Sequence, residues 1–170
     1  MAHKSDDAIS SEKMALPLSI ISPMDIARVS RELEAYSEYY HQLELRKNKH
    51  SDIKQPKISQ LLDNLIELNM LDLTDQNDRD NLRSFIEDIK TSAPVIHASF
   101  SVDPSVSFLE KIISYLRKEI NQRLLLTIGL QPNIGAGLLL RTQNKYFDFS
   151  LKDRLFDASN DLIKLIKETN

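Results

Sequence analysis

The sequence contains no cysteine and no tryptophan, and glycine occurs only three times. Without cysteine, the chain forms no disulfide bond and offers no thiolate ligand to a metal. No apolar run approaches the ~18 residues that a transmembrane helix needs, so we expect no membrane span. The N-terminal residues are polar and lack the apolar core of a secretory signal, which favours a cytoplasmic protein. A net charge of −3 argues against a general nucleic-acid-binding protein.

The three glycines lie close together, at Gly129, Gly135 and Gly137. Glycine is needed where the backbone adopts a positive φ or where another group approaches closely. The segment joins two apolar runs, which predicts an unusual connection between two strands.

The N-terminal half has helical periodicity. Residues 1–21 are predicted to be a disordered tail, and residues 22–92 to contain about three amphipathic helices in a hairpin or small bundle. Ser22 is predicted to cap the first helix, with Pro23 at its first position. The apolar stripe of that helix comprises Ile26, Val29, Leu33, Tyr36, Tyr40 and Leu43. Whether Tyr36, Tyr39 and Tyr40 bind a partner or pack in the core stays open.

Residues 93–170 predict a small β-α-β-β-α domain, so the expected fold class is α+β. Residues 123–130 are apolar on both faces, as in an interior strand. Ser150 begins a capping-box pattern that opens the last helix. The predicted elements are strand 95–102, a helix from residue 105, strands 123–130, 137–141 and 145–149, and a helix from residue 150.

The sequence offers little catalytic chemistry. The four histidines are dispersed, and the Gly-x-Ser-x-Gly pattern of a nucleophile elbow is absent. The glycine segment could cradle a phosphate, but it leads into a strand and not into a helix N-terminus. Asp148 and Ser150 fit a role in ordering the last helix. We therefore expect a binding or structural protein and not an enzyme, without a metal or cofactor.

Part of the C-terminal half resembles the delta subunit of F-type ATP synthase, the oligomycin-sensitivity-conferring protein family. The family motif is Asp-Pro-x-Leu-Ile-Gly-Gly, a strand containing Arg, a tight turn, Asp-x-Ser, and a helix with Leu five residues after that Ser. The residues that fall on this motif, without a gap, are Pro132, Gly135, Ala136, Gly137, Arg141, Asp148, Ser150 and Leu155. The chain departs from it with Gln131 for Asp, Ala136 for the first Gly, and Gln143-Asn144 in the turn.

The resemblance covers residues 92–165 and implies a non-catalytic stator subunit of the peripheral stalk. Such a subunit ties the catalytic head to b-type stalk helices, so that rotation is coupled to ATP synthesis and proton transport. It implies a cytoplasmic protein held at the inner face of the cell membrane by the synthase complex. The family's six-helix N-terminal domain binds alpha subunits, whereas about three helices are predicted here, which leaves alpha binding open.

Phe156 and Ile163 broaden the apolar face of the predicted last helix. We expect them to contact either a partner helix or the core of the domain. Two other functions remain as alternatives to the stator role. One is a free-standing adaptor of an unrelated complex, and the other is an enzyme that binds phosphate or a nucleotide at residues 129–137.

Overall fold

The structure is a computed structural model that describes residues 14–45, 54–142 and 145–150, with the backbone alone at Ser150. Helices precede a small mixed sheet, which confirms the α+β class. None of the helices in the described ranges is long and apolar enough to cross a membrane. The elements are α1 (Pro23–Leu45), α2 (Gln60–Asn69), α3 (Gln76–Ser92), β1 (Val95–Phe100), α4 (Val106–Glu119), β2 (Leu125–Leu130), a 3₁₀ turn (Pro132–Ile134), β3 (Gly137–Arg141) and β4 (Tyr146–Ser150).

Helix α1 begins with the predicted cap. The Asp25 amide donates to Ser22 Oγ at 3.2 Å, and the Ser22 amide donates to Asp25 Oδ2 at 2.8 Å. This reciprocal pair satisfies two amides that the helix itself leaves without acceptors. The predicted stripe is buried as far as Tyr36, whereas Leu43 is 37% exposed. The core contact of α1 therefore weakens toward its C-terminal end.

Helices α2 and α3 complete one apolar core with α1. Ser59 caps α2 and Asp75 caps α3, each through a side-chain oxygen that accepts a backbone N–H bond. The inward residues of α2 and α3 are Leu62, Leu65, Leu82, Phe85, Ile86 and Ile89, all nearly inaccessible to water. The three predicted amphipathic helices are thus confirmed.

The structure corrects the predicted tail boundary, because residues 14–21 are packed against the rest of the protein. Met14 and Ile20 are buried in the helical core. Asn69 accepts a bond from the Ala15 amide at 2.8 Å and donates one to the Ala15 carbonyl at 3.0 Å. The apolar side chains in this short segment gain burial despite its lack of periodicity. Residues 1–13 lie outside the described ranges.

The sheet has the strand order β2-β1-β3-β4. Strand β1 pairs parallel with β2 and antiparallel with β3, and β3 pairs antiparallel with β4. Helix α4 connects β1 to β2. Helix α4 packs on one face and forms a second core with β1 and β2. That core contains Ile21, Ile96, Ala98, Phe100, Leu109, Ile113, Leu116, Leu124 and Leu126.

The prediction of an interior strand at residues 123–130 is wrong, because β2 is an edge strand. Its apolar character on both faces has a different cause. Leu126 packs toward α4, whereas Leu125 belongs to the core of the helical region. The N-terminal part of β2 thus lies between two cores. Strand β1 also ends earlier than predicted, and Val102 is 72% exposed.

We predict that Ser22→Ala lowers the free energy of unfolding by about 1 kcal/mol, since the variant loses the cap of α1. Urea denaturation followed by circular dichroism measures the change. Ser114→Ala, at an exposed position within α4, is the matched control and should have no cost. Equal stability of the two variants would show that the cap contributes nothing.

Candidate functional site

The glycine segment connects two strands that are not neighbours in the sheet. Strand β3 pairs with β1 and not with β2, so the connection passes across the end of β1. The Gln131 amide donates to the Phe100 carbonyl at 2.7 Å, which fixes the start of this crossing on β1. Pro132 then opens the 3₁₀ turn, and Ile134 at its end is buried.

The predicted unusual backbone lies at the end of this crossing. Gly135 has φ 76° and ψ −75°, and the Ala136 amide donates to the Ile134 carbonyl at 3.0 Å. These values describe a classic γ-turn, a strained conformation that favours glycine. Gly137 has φ 107°, which is also unfavourable for other residues. The two glycines therefore allow the chain to reverse into β3.

Gly129 has a different reason to be glycine. A Cβ atom built there would lie 3.0 Å from Nε2 of His97. His97 is the diagonal neighbour of Gly129 across the β1–β2 pair. His97 is itself exposed.

The loop geometry does not favour phosphate binding. The segment leads through a three-residue 3₁₀ turn into β3 and not into an α-helix, so it does not itself supply the helix N-terminus on which a phosphate loop depends. Arg141 lies at the far end of the five-residue β3, about 13 Å along the strand from Gly137 at ~3.3 Å per residue. Within the described ranges, no group of three or more histidine or acidic side chains could hold a metal ion.

The other described residues that resemble the family motif lie along the β3–β4 hairpin. Gly137 is directly opposite Ser150, and Arg141 is opposite Tyr146. Asp148 is opposite Leu139, which places it on the same sheet face as Arg141, at a diagonal position. The described residues that match the motif thus lie in one hairpin and in the turn that leads into it.

Three residues proposed from the sequence, Leu155, Phe156 and Ile163, lie outside the described residues, and so does the predicted last helix. Ser150 is described as the last residue of β4. Its predicted role as a helix cap therefore stays a prediction.

The described surface carries an apolar groove that the sequence analysis missed. It lies between α4 and the hairpin, on the sheet face that α4 covers, and has a volume of about 460 Å³. We call it the α4 groove. Its lining residues are Lys111, Ile112, Tyr115, Leu116, Ile120, Leu138, Leu140, Phe147 and Phe149.

Aromatic side chains form much of the α4 groove. Phe147 and Phe149 lie two residues apart on β4, with nearly parallel rings whose centroids are 6.5 Å apart. Phe149 is 57% exposed, and Tyr115 on the opposite wall is 66% exposed. Exposed apolar surface of this extent, gathered in one place, is typical of a binding surface.

The α4 groove follows from the number of strands. A helix is about 10 Å wide and neighbouring strands are about 4.8 Å apart, so one helix covers roughly two strands. Helix α4 packs mainly on β1 and β2, so among the described elements little covers β3 and β4 on that face. The alternation of Phe147 and Phe149 was a signal for the groove. This alternation predicts a groove only if β4 is known to lie at the edge of the sheet.

The three tyrosines of α1 pack within the helical region. The ring centroids of Tyr39 and Tyr40 are 5.3 Å apart, and the Arg79 guanidinium lies 4.9 Å from the centroid of Tyr40. Desolvation by burial is the main cause that raises the pKa of Tyr40 above its ordinary value. Tyr36 accepts a hydrogen bond from Gln55 at 2.7 Å. These contacts account for the cluster without a partner.

No protein-family model matches the chain, and no curated protein shows significant similarity to its sequence.

We predict that Gly137→Val lowers the free energy of unfolding by about 1–3 kcal/mol, because valine strongly disfavours a φ of 107°. Chemical denaturation measures the change. Gly129→Ala is the control, since its added methyl meets the movable end of a side chain, and it should cost less. A Gly137→Val variant as stable as the parent would contradict a structural role for this glycine.

Proposed function

We propose that the protein is a non-catalytic adaptor of the peripheral stalk of an F-type ATP synthase. In this role it links the catalytic head to a b-type stator helix and prevents the head from rotating with the central shaft. Rotation is then coupled to ATP synthesis and proton transport. The protein acts at the inner face of the cell membrane, where the complex holds it.

The α4 groove is the observation that carries this proposal. It is apolar and bounded by a helix on one side and a strand hairpin on the other. An amphipathic helix binds such a groove through apolar residues spaced three and four apart. A stalk helix is a partner of this kind. Tyr115, Phe147 and Phe149 are the anchors we expect it to contact, because large aromatic side chains dominate the energy of most interfaces.

The glycine segment supports an adaptor in another way. Its γ-turn, its strand-to-strand path and the distance of Arg141 suit a rigid connection better than a ligand cradle. The connection sets the position of β3 and β4, and these strands supply one wall of the α4 groove. The residues that resemble the family motif thereby shape the proposed binding surface.

Contact with alpha subunits is a separate part of the proposal. The described helical region contains three helices where the family has six, so its binding surface for the catalytic head is reduced. We assign the stalk-binding role to the α4 groove, and we assign to Phe156 and Ile163 a supporting contact with the same stalk helix.

We predict that the full-length protein binds the C-terminal segment of the b-type subunit encoded in the same genome. Phe149→Lys and Tyr115→Lys should each weaken this binding at least ~10-fold, because each places a charge in an apolar contact. Isothermal titration calorimetry with the purified segment measures both affinities.

The matched control is Met24→Lys, which changes a 72% exposed apolar residue at the start of α1, away from the groove. It should leave the affinity unchanged. A parent protein that binds neither the b-type segment nor the catalytic head would refute the stator role. Binding that Phe149→Lys and Tyr115→Lys leave intact would place the stalk contact elsewhere on the protein.

A further inference from the structure

Residues 14–21 lie between the helical region and the sheet, and they take part in both cores. Met14 and Ile20 are buried in the helical core, whereas Ile21 belongs to the core beneath α4. We call this segment the N-terminal clasp.

The helical region holds the clasp through two asparagines of α2. Besides its two bonds to Ala15, Asn69 donates to the Leu65 carbonyl at 2.9 Å, which fixes the amide plane. Asn64 donates to Ser19 Oγ at 3.0 Å. The clasp is thus bonded to α2 at two positions, Ala15 and Ser19.

The sheet region holds the clasp through one buried arginine of α4. The Arg117 guanidinium donates to the carbonyls of Pro17 at 2.9 Å, Ile20 at 2.6 Å and Leu16 at 3.3 Å. Its Nε donates to the Leu124 carbonyl at 3.0 Å, just before β2. All four partners are backbone carbonyls.

A strand-like bond adds to this attachment. The Leu126 amide on β2 donates to the Ile21 carbonyl at 2.8 Å, so the end of the clasp pairs with the outer edge of the sheet. Among the described residues of the sheet region, Leu125 is the only member of the helical core. The Arg123 guanidinium adds a direct contact, 5.4 Å from the centroid of the Phe85 ring. The hydrogen bonds described above join the two regions through the clasp.

We propose that the N-terminal clasp is the device that fixes the orientation of the helical region relative to the sheet. Neither Asn69 nor Arg117 bonds directly to the opposite region, and each acts by holding the same eight-residue segment. Loss of either attachment frees the two regions to move about their direct contacts, which include the burial of Leu125 and the contact of Arg123 with the Phe85 ring.

The clasp also bears on the stalk contact, a consequence that rests on the proposed function. Arg117 and the groove residues Tyr115 and Leu116 belong to the same helix. A stalk helix bound at the α4 groove would therefore be linked to the helical region through α4 and the clasp. A stator needs such a stiff path, because it must resist torque.

Distance measurements between two spin labels test the clasp directly. The chain has no cysteine, so Glu34→Cys in α1 and Ser114→Cys in α4 give the only two labelled sites, and both positions are exposed. We expect one narrow distance distribution in the labelled parent. Asn69→Ala and Arg117→Lys, made separately, should each broaden it at least ~2-fold, as hinge motion between regions does.

Lys118→Met is the control, since it changes an exposed neighbour of Arg117. Distributions in Asn69→Ala and Arg117→Lys that stay as narrow as in this control would overturn the proposal, because the direct contacts between the regions would then suffice. Circular dichroism shows whether each variant folds.

Hydrogen exchange in the unsubstituted protein gives a test that needs no variant. The Leu126 amide bonds to the clasp and the Leu125 amide to the Pro94 carbonyl beside β1, so the two amides report the clasp and the sheet. We expect exchange rates within ~10-fold of each other, since both would open in one cooperative unit. Exchange at Leu126 that is ~1000-fold faster than at Leu125 would show that the clasp opens by itself and would overturn the proposal. Neither test depends on binding to the b-type segment, so the clasp and the stator role can fail independently.

Discussion

The structure depends most on one buried cation that has backbone carbonyls as its partners. Arg117 is 6% exposed, and burial lowers its pKa to about 10, which leaves it charged at neutral pH. A buried charge is costly unless hydrogen bonds compensate it, and bonds to a charged donor are stronger than neutral ones. The planar guanidinium can direct several N–H groups at once toward carbonyls from different segments, whereas an ammonium group concentrates its charge at one point. One side chain thereby joins the chain's first described residues, the central crossover helix and the start of β2.

The same helix determines where the protein has apolar surface to offer. Because α4 covers β1 and β2, Phe147 and Phe149 on β4 remain largely exposed beside it. The glycine segment sets this arrangement, since its crossing at the end of β1 places β3 and β4 on the side of the sheet away from β2. The α4 groove, which carries the proposed stator function, is thus a product of strand order as much as of the residues that line it.

Local patterns predicted the helical region well, because the cap at Ser22 and the stripe of α1 depend on residues three and four positions apart. They also predicted an unusual connection at the glycine segment, where Gly135 and Gly137 have a positive φ. Non-local features could not be predicted in this way. The edge position of β2 depends on which strand pairs with β1, and the burial of residues 14–21 depends on a side chain of α4. Predicting the α4 groove would have required both the strand order and the position of α4. The sequence therefore suggested the aromatic residues of the groove without locating the surface.

The bond between Arg117 and Pro17 spans 100 positions of the chain. Closing a loop of that length costs conformational entropy before any contact repays it, so long-range contacts of this kind form late in folding. During synthesis, residues 14–21 leave the ribosome before every helix and strand described here. Their backbone carbonyls cannot accept the bonds from Arg117 until α4 has emerged. The earliest described segment of the polypeptide therefore reaches its final place only after the helix that holds it has been made.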